Sequence, residues 1–396
     1  KKEKLARQLA TRLVSIARPA DCPLFEHFLV FGQSIRKADP VKPSCIFQYP
    51  QDKPLTLQAL EQFVFPTGMP NDRDTTRMAT SVSDFHNKNP DHSFVLLLTT
   101  SIKEVFYAIC VVDEFLKPYP TFIPPDSEPA FTKVPFSTRC YALITRYPLF
   151  DLMFDVLHHI LDVEEKSLTL PPLHRTGDLN QINRILEHLW TLAAPAPGGT
   201  INLGIPKIPS YLRPTRHEDE SLISSHCVPT LFWVLEKDAI LGLVSAALLE
   251  KKLLFVHSNL RILSNCILSF IALLKPFVLQ CVFIPILPDD LLQIAEAPVP
   301  FIAGMANPKL IRAARDGNPE LIVVDLTTKR IYCPEDVDVP SLPNMKGLSH
   351  AIDPYVVQMK KNFDKHVPPY KAGKTIKDLT TELLRLLEQY ITPYFE

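Results

Sequence analysis

Residues 248–305 read LLEKKLLFVHSNLRILSNCILSFIALLKPFVLQCVFIPILPDDLLQIAEAPVPFIAGM, and this stretch decides the fold. Leu253-Leu254-Phe255-Val256 is a short apolar run suited to a buried strand, and Ser258-Asn259 offers a helix N-cap directly after it. Ile262 to Leu274 follows with helical spacing until Lys275-Pro276 stops it. Val282-Phe283-Ile284 predicts the next strand, ended by Pro285 and Pro288, and a short helix and a third strand complete the stretch. Buried strands alternating with helices mark an α/β layer around a largely parallel sheet. Such sheets carry their sites at the carboxyl ends of the strands.

Working outward, the N-terminal half reads differently. Phe25 to Phe31, Cys45 to Tyr49 and Phe63 to Phe65 predict strands. Ser93 to Leu98 and Val105 to Val112 predict a hairpin, and Tyr141 to Arg146 a further strand ended by Pro148. Helices follow over Leu149 to Leu161 and Leu179 to Leu192. Strands first and helices after predict an α+β lobe, an antiparallel sheet with helices on a face. The APAPGG stretch at 194–199 reads as a boundary, which divides the chain into residues 1–195 and 196–396. Beyond it, Ile201 to Ile205 predicts a strand and Pro229 to Leu249 one long buried helix. Leu321 to Asp325 and Ile331-Tyr332 predict strands, and the chain closes in helices near 345–363 and 375–391. At the other end, Leu5, Leu9, Leu13 and Ile16 share a face of an opening helix expected to pack on the first lobe with its basic residues in water, the alternative being contact of that basic face with an acidic membrane surface.

Composition excludes several classes. A chain of 396 residues exceeds what one core usually spans, and a 46% hydrophobic share fills two. The net charge of −1 supplies no basic field for nucleic acid. Eight cysteines, at 22, 45, 110, 140, 227, 266, 281 and 333, form no Cys-x-x-Cys pair, so reduced thiols and a cytoplasmic location are expected. Lys1-Lys2-Glu3-Lys4 opens an amphipathic pattern rather than a signal sequence. The apolar run over 262–287 is interrupted by Asn265, Lys275, Pro276 and Gln280, which argues for a buried helix and strand and against a membrane span. With 38 prolines against 11 glycines, the loops are set by fixed-φ residues.

Motifs of self-contained chemistry do not emerge. Neither Gly-x-Ser-x-Gly nor Gly-x-Gly-x-x-Gly occurs, and Gly373-Lys374-Thr375 lacks the upstream glycine of a phosphate loop because Pro368 stands there. His158-His159 beside Asp162 would point about 100° apart on a helix, a poor metal pair. Asp289-Asp290 and Glu164-Glu165 read as solvated helix-end charges. No catalytic residue, metal or cofactor is expected.

The ordered blocks resemble the DENN domain in its upstream, central and downstream parts. The upstream match is Phe25-Glu26-His27-Phe28-Leu29-Val30, then Pro50, the Phe63-Val64-Phe65-Pro66-Thr67-Gly68 turn and the Ser93 to Val112 hairpin. The central match is Tyr141 to Phe154 and Leu248 to Met305, with FIPILP at 283–288 and APVPFIAG at 297–304 as its most family-like strings. The downstream match runs from Val323 to Pro343. The resemblance implies a longin-like N-terminal lobe and a Rossmann-like C-terminal lobe. It also implies a guanine nucleotide exchange factor for a Rab-type small GTPase, gripped between the lobes and made to release GDP. Recruitment to vesicle or endosomal membranes would follow.

For the contact, expectation falls on the loop after the Leu253 to Val256 strand (His257, Ser258, Asn259, Arg261), on Arg139 and Arg146 between the lobes, and on Glu250, Pro298 and Phe301. Capping alone also accounts for Ser258 and Asn259. A second class is a non-catalytic DENN scaffold or a GAP-like module, with Arg36, Arg73 and Arg77 as candidate fingers.

Overall fold

The computed structural model describes residues 23–33, 43–51, 59–69, 93–99, 104–113, 138–168, 176–213, 215, 219–278, 280–363, 367 and 373–394. The opening helix and Arg36, Arg73 and Arg77 lie outside them.

The first half holds β1 (His27–Gln33), β2 (Pro43–Tyr49), α1 (Leu60–Val64), β3 (Ser93–Thr99), β4 (Val105–Asp113), β5 (Arg139–Thr145), α2 (Phe150–Leu168) and α3 (Thr176–Thr191). Its strands form an antiparallel sheet in the order β2-β1-β5-β4-β3. The period-two alternation is visible in the packing. Phe28, Val30, Tyr141 and Leu143 face α2 and α3, while Leu29, Phe31, Ala142 and Ile144 belong to the core shared with the second half. One reading fails here: Phe63 to Phe65 is not a strand but the end of α1 and its exit, because Leu60 and Val64, four apart, are the residues buried.

The segment after α3 returns along the first half. Ile201, Leu203 and Ile205 join its core, β6 (Thr200–Ile201) pairs β7 (Tyr211–Leu212), and Arg213 lies 4.6 Å from the Tyr147 ring centroid. The expected strand over 201–205 is thus only a two-residue ladder.

Next come α4 (Asp219–Val234) and α5 (Lys237–Leu248), which replace the single predicted helix; Pro229 sits inside α4 rather than at its start. Then follow β8 (Leu253–Val256), α6 (Leu260–Leu273), β9 (Val282–Leu287), a 3-10 helix (Asp289–Glu296), β10 (Phe301–Met305), α7 (Ile311–Gly317), β11 (Ile322–Asp325) and β12 (Arg330–Tyr332). The closing helices are α8 (Met345–Asn362) and α9 (Lys374–Ile391).

The second sheet runs β12-β11-β8-β10-β9, parallel except for the hairpin strand β12. Strands β8, β10 and β11 are buried along their whole length. Leu253 and Phe255 face α6, whereas Leu254 and Val256 face α7 and the 3-10 helix, so the sheet is the middle of three layers. Strand β9 continues through Pro285, where the sequence predicted a stop; as an edge strand it has no second neighbour that needs the missing N–H.

The two sheets share no strand, yet their apolar core is continuous. Helix α6 joins them: its Ser264 hydroxyl donates to the Val95 carbonyl on the outer strand β3, covering an edge that would otherwise be open.

Candidate functional site

Strand β8 ends in His257-Ser258-Asn259, and the chain turns there into α6. Asn259 is extended (φ −85°, ψ 113°) and its Oδ1 accepts from Ile262 N at 3.0 Å, a cap worth about 1 kcal/mol. His257 Nδ1 accepts from Asn259 N at 2.8 Å, which places its ring proton on Nε2. His257 N donates to Met305 O at 3.2 Å, so the ends of β8 and β10 are tied together. After β8 the chain crosses by α6 on one face, and after β10 by α7 on the other. The point between these two strands is therefore where the winding reverses, the usual place for a crevice.

Around this corner α2, α4, α6 and α9 converge. His226 of α4 is buried between Phe154, stacked at 5.8 Å, and Phe150, edge-on at 5.2 Å, both from the first turns of α2. Beside Phe150, Asp151 takes an ion pair from Lys377 of α9 at 2.7 Å. Burial raises the Asp151 pKa and the Lys377 ammonium opposes that rise.

Burial pushes His226 down to about 3, helped by the charges of Arg261 and Lys377. An unfolded histidine titrates near 6.5, so the neutral ring keeps its full contribution above that pH and loses it as pH falls toward 3. From pH 7 to pH 5 the folding free energy should drop by about 2 kcal/mol through this residue. Denaturant melts of His226→Phe should flatten that part of the profile; an unchanged slope would show that the ring titrates alike in the folded and the unfolded chain.

The structure divides the nine expected contact residues. His257, Ser258, Asn259 and Arg261 lie at the corner, with Ser258 exposed and Arg261 buried within range of His226. Arg146 leaves the carboxyl end of β5, on the path to Phe150, and is partly exposed. It pairs with Glu26 at 2.6 Å and Glu104 at 2.8 Å and lies over the Phe106 ring. Arg139 is at the other end of β5 and 5% exposed, paired with Glu164. Glu250, with φ of 54°, and Pro298 are exposed at the amino ends of β8 and β10, away from the corner. Phe301 is 1% exposed and belongs to the sheet core.

Several residues escaped the sequence reading. Glu164 is not a solvated charge but fully buried, accepting from Arg139 and from the Tyr141 hydroxyl. Asp289 is half-buried: its Oδ2 accepts from Asn307 at 2.7 Å, and its backbone N–H donates to Pro66 O at 2.8 Å. That last bond fastens the turn after α1 to the carboxyl end of β9. Partners so far apart in the chain leave no local pattern to find. Among the described residues no group of three or more His, Cys, Asp or Glu is placed to hold a metal ion, and no helix is long and apolar enough to cross a membrane.

What this scaffold offers is two sheets clamped by shared helices, with the start of α2 packed on His226 and the start of α6 close enough for Arg261 to act on the same ring. The family profile described as "DENN (AEX-3) domain" matches residues 136–329, and the "uDENN domain" profile matches residues 43–112. Human DENN domain-containing protein 1A is 26% identical over 205 residues, which is 52% of this chain and 19% of that protein. Human DENN domain-containing protein 2B is 24% identical over 332 residues, covering 81% of this chain and 26% of that protein. For human DENN domain-containing protein 2A the figures are 28% over 226 residues, 54% and 20%. The chain belongs to the DENN domain family, whose members generally act on Rab GTPases as exchange factors. It spans about a fifth to a quarter of the length of these relatives.

Proposed function

We propose that the chain is the GTPase-binding body of a cytoplasmic exchange factor for a Rab-type GTPase, one that promotes GDP release when peripherally recruited to vesicle or endosomal membranes. The family match over both the uDENN and DENN regions carries this reading. In it, residues 1–195 act as a longin-like lobe and 196–396 as a Rossmann-like lobe, and the GTPase lies across the corner where they join. Ser258 and Arg146, with exposed surface there, make contact, flanked by His257 and Asn259. Arg261 and Arg139 act from inside by holding the corner and β5. Glu250 and Pro298 serve an outer part of the same contact, and Phe301 holds the turn that carries Pro298.

The work required is coupling rather than bond chemistry. Binding the emptied GTPase more tightly than the loaded one weakens nucleotide by the same factor. A shift of ~10⁴-fold needs about 5.5 kcal/mol of differential binding. An interface of roughly 1,600 Å² can supply this if it reshapes the partner's nucleotide site. Release of a fluorescent GDP analogue from a panel of Rab GTPases, read beside phosphate release, tests the reading. Faster GDP release from at least one Rab supports it. Accelerated phosphate release with unchanged GDP release would assign a GAP-like role, and binding without either effect a scaffold.

A further inference from the structure

We infer that the concavity between α7 and the 318–321 turn is a docking groove for an acidic linear peptide whose acids alternate with apolar residues. The concavity measures about 600 Å³. It lies on the face of the second sheet away from α6, apart from the corner described above.

One wall is cationic. Lys309, Arg312 and Arg315 recur every third residue along α7 and its lead-in, and all three are exposed. Among the described residues neither Lys309 nor Arg315 has a carboxylate within 4.0 Å. Among the described residues the carboxylate that Arg312 reaches is Asp316, at 3.8 Å with the two side chains 93% and 73% exposed, a pair too loose and wet to neutralise it. Arg315 is held with its guanidinium 5.4 Å from the Tyr332 ring centroid, so part of the cost of ordering it is met before any ligand arrives. The apolar part of the lining is the exposed Pro319 and the half-buried Pro334, with Leu321, 1% exposed, belonging to the core beneath.

Such a lining selects an occupant. Three-residue spacing puts the cations about 4.5–6 Å apart along the axis. Same-side residues of an extended chain repeat at roughly 6.6 Å, so acids at alternate positions meet successive cations while the intervening side chains meet the apolar part of the lining. A flat anionic membrane fits worse. Asp316 is exposed within the lining, and the exposed Glu335 and Asp336 follow Pro334 in the chain, so a plane would have to press against carboxylates that a single peptide strand can pass beside.

The test uses a fluorescein-labelled dodecapeptide of alternating Glu and Val, titrated with the chain and read by polarisation. Saturable binding is expected, weakening with salt and weakened about tenfold or more by the double substitution Arg312→Glu and Arg315→Glu. Asp316→Ala, which removes the competing carboxylate, should tighten it roughly threefold. A Glu-Ser peptide of equal length should bind several-fold more weakly for want of apolar contact. All these side chains are exposed, and matched melting curves will show that the variants fold. Unchanged affinity in the double variant overturns the assignment. So does a failure of the peptide to bind while phosphatidylserine vesicles bind in a manner that the double substitution abolishes.

Discussion

Replacing Glu164 with leucine should cost about 3–5 kcal/mol of folding free energy, because it leaves a guanidinium buried without its main partner. Glu164 has no exposed surface, and Arg139 Nη1 donates to its Oε1 at 3.1 Å while the Tyr141 hydroxyl donates to Oε2. Arg139 and Tyr141 stand on β5, the middle strand of the first sheet, so neither side chain can swing to water without opening the ladder. Asp113, opposite Arg139 in the β4–β5 register, holds the loss toward the lower end of that range. Glu164→Gln retains an acceptor and should cost less. The double change Arg139→Met with Glu164→Leu should recover most of the loss, since an apolar pair of similar volume needs no desolvated charge. Urea unfolding of the four proteins measures this. A cost below about 1 kcal/mol for Glu164→Leu would mean that the pair is solvated.

Gly304→Val should be worse still, with a loss of more than about 4 kcal/mol and little folded protein recovered. A Cβ at this position would stand 2.3 Å from the Pro285 carbonyl oxygen, 2.4 Å from Ile267 Cδ1 and 2.9 Å from Leu263 Cγ. The first of these is backbone of the neighbouring strand. It cannot retreat without losing the β9–β10 pairing, which already shifts register between Ala303 and Met305. The other two belong to α6, the helix that joins both sheets. Overpacking a soft side chain typically costs about 1–3 kcal/mol, and here a fixed carbonyl adds to it. Gly304→Ala should already destabilise measurably. Thermal melts or expression yield would detect either change, and a Gly304→Ala protein as stable as the parent would refute the close approach.

Both sites show where sequence reading reaches and where it stops. The parallel strands were legible because β8, β10 and β11 are continuous apolar runs, as buried parallel strands must be. The hairpin over 93–113 was legible from its two strand-forming runs and short connection. Phe63 to Phe65 misled, because β-forming residues can close a helix once Leu60 and Val64 have a core to face. Pro229 misled as a helix start for a related reason: packing on α6 outweighs the lost hydrogen bond. The candidate corner was half legible. Asn259 announced itself as a cap, and a strand's carboxyl end drew attention to His257. Asp151 with Lys377, Asp289 with Asn307 and Pro66, and the buried Glu164 depend on elements brought together from across the chain. No local pattern encodes such pairs; an acid on a helix looks the same whether it ends in water or under a sheet.

The central claim is that this body grips the emptied state of a Rab-type GTPase. Titration calorimetry of the chain against one responsive Rab, first stripped of nucleotide and then loaded with GDP, tests it most directly. The account predicts a ~10⁴-fold preference for the stripped form, and equal affinity for the two forms would contradict it.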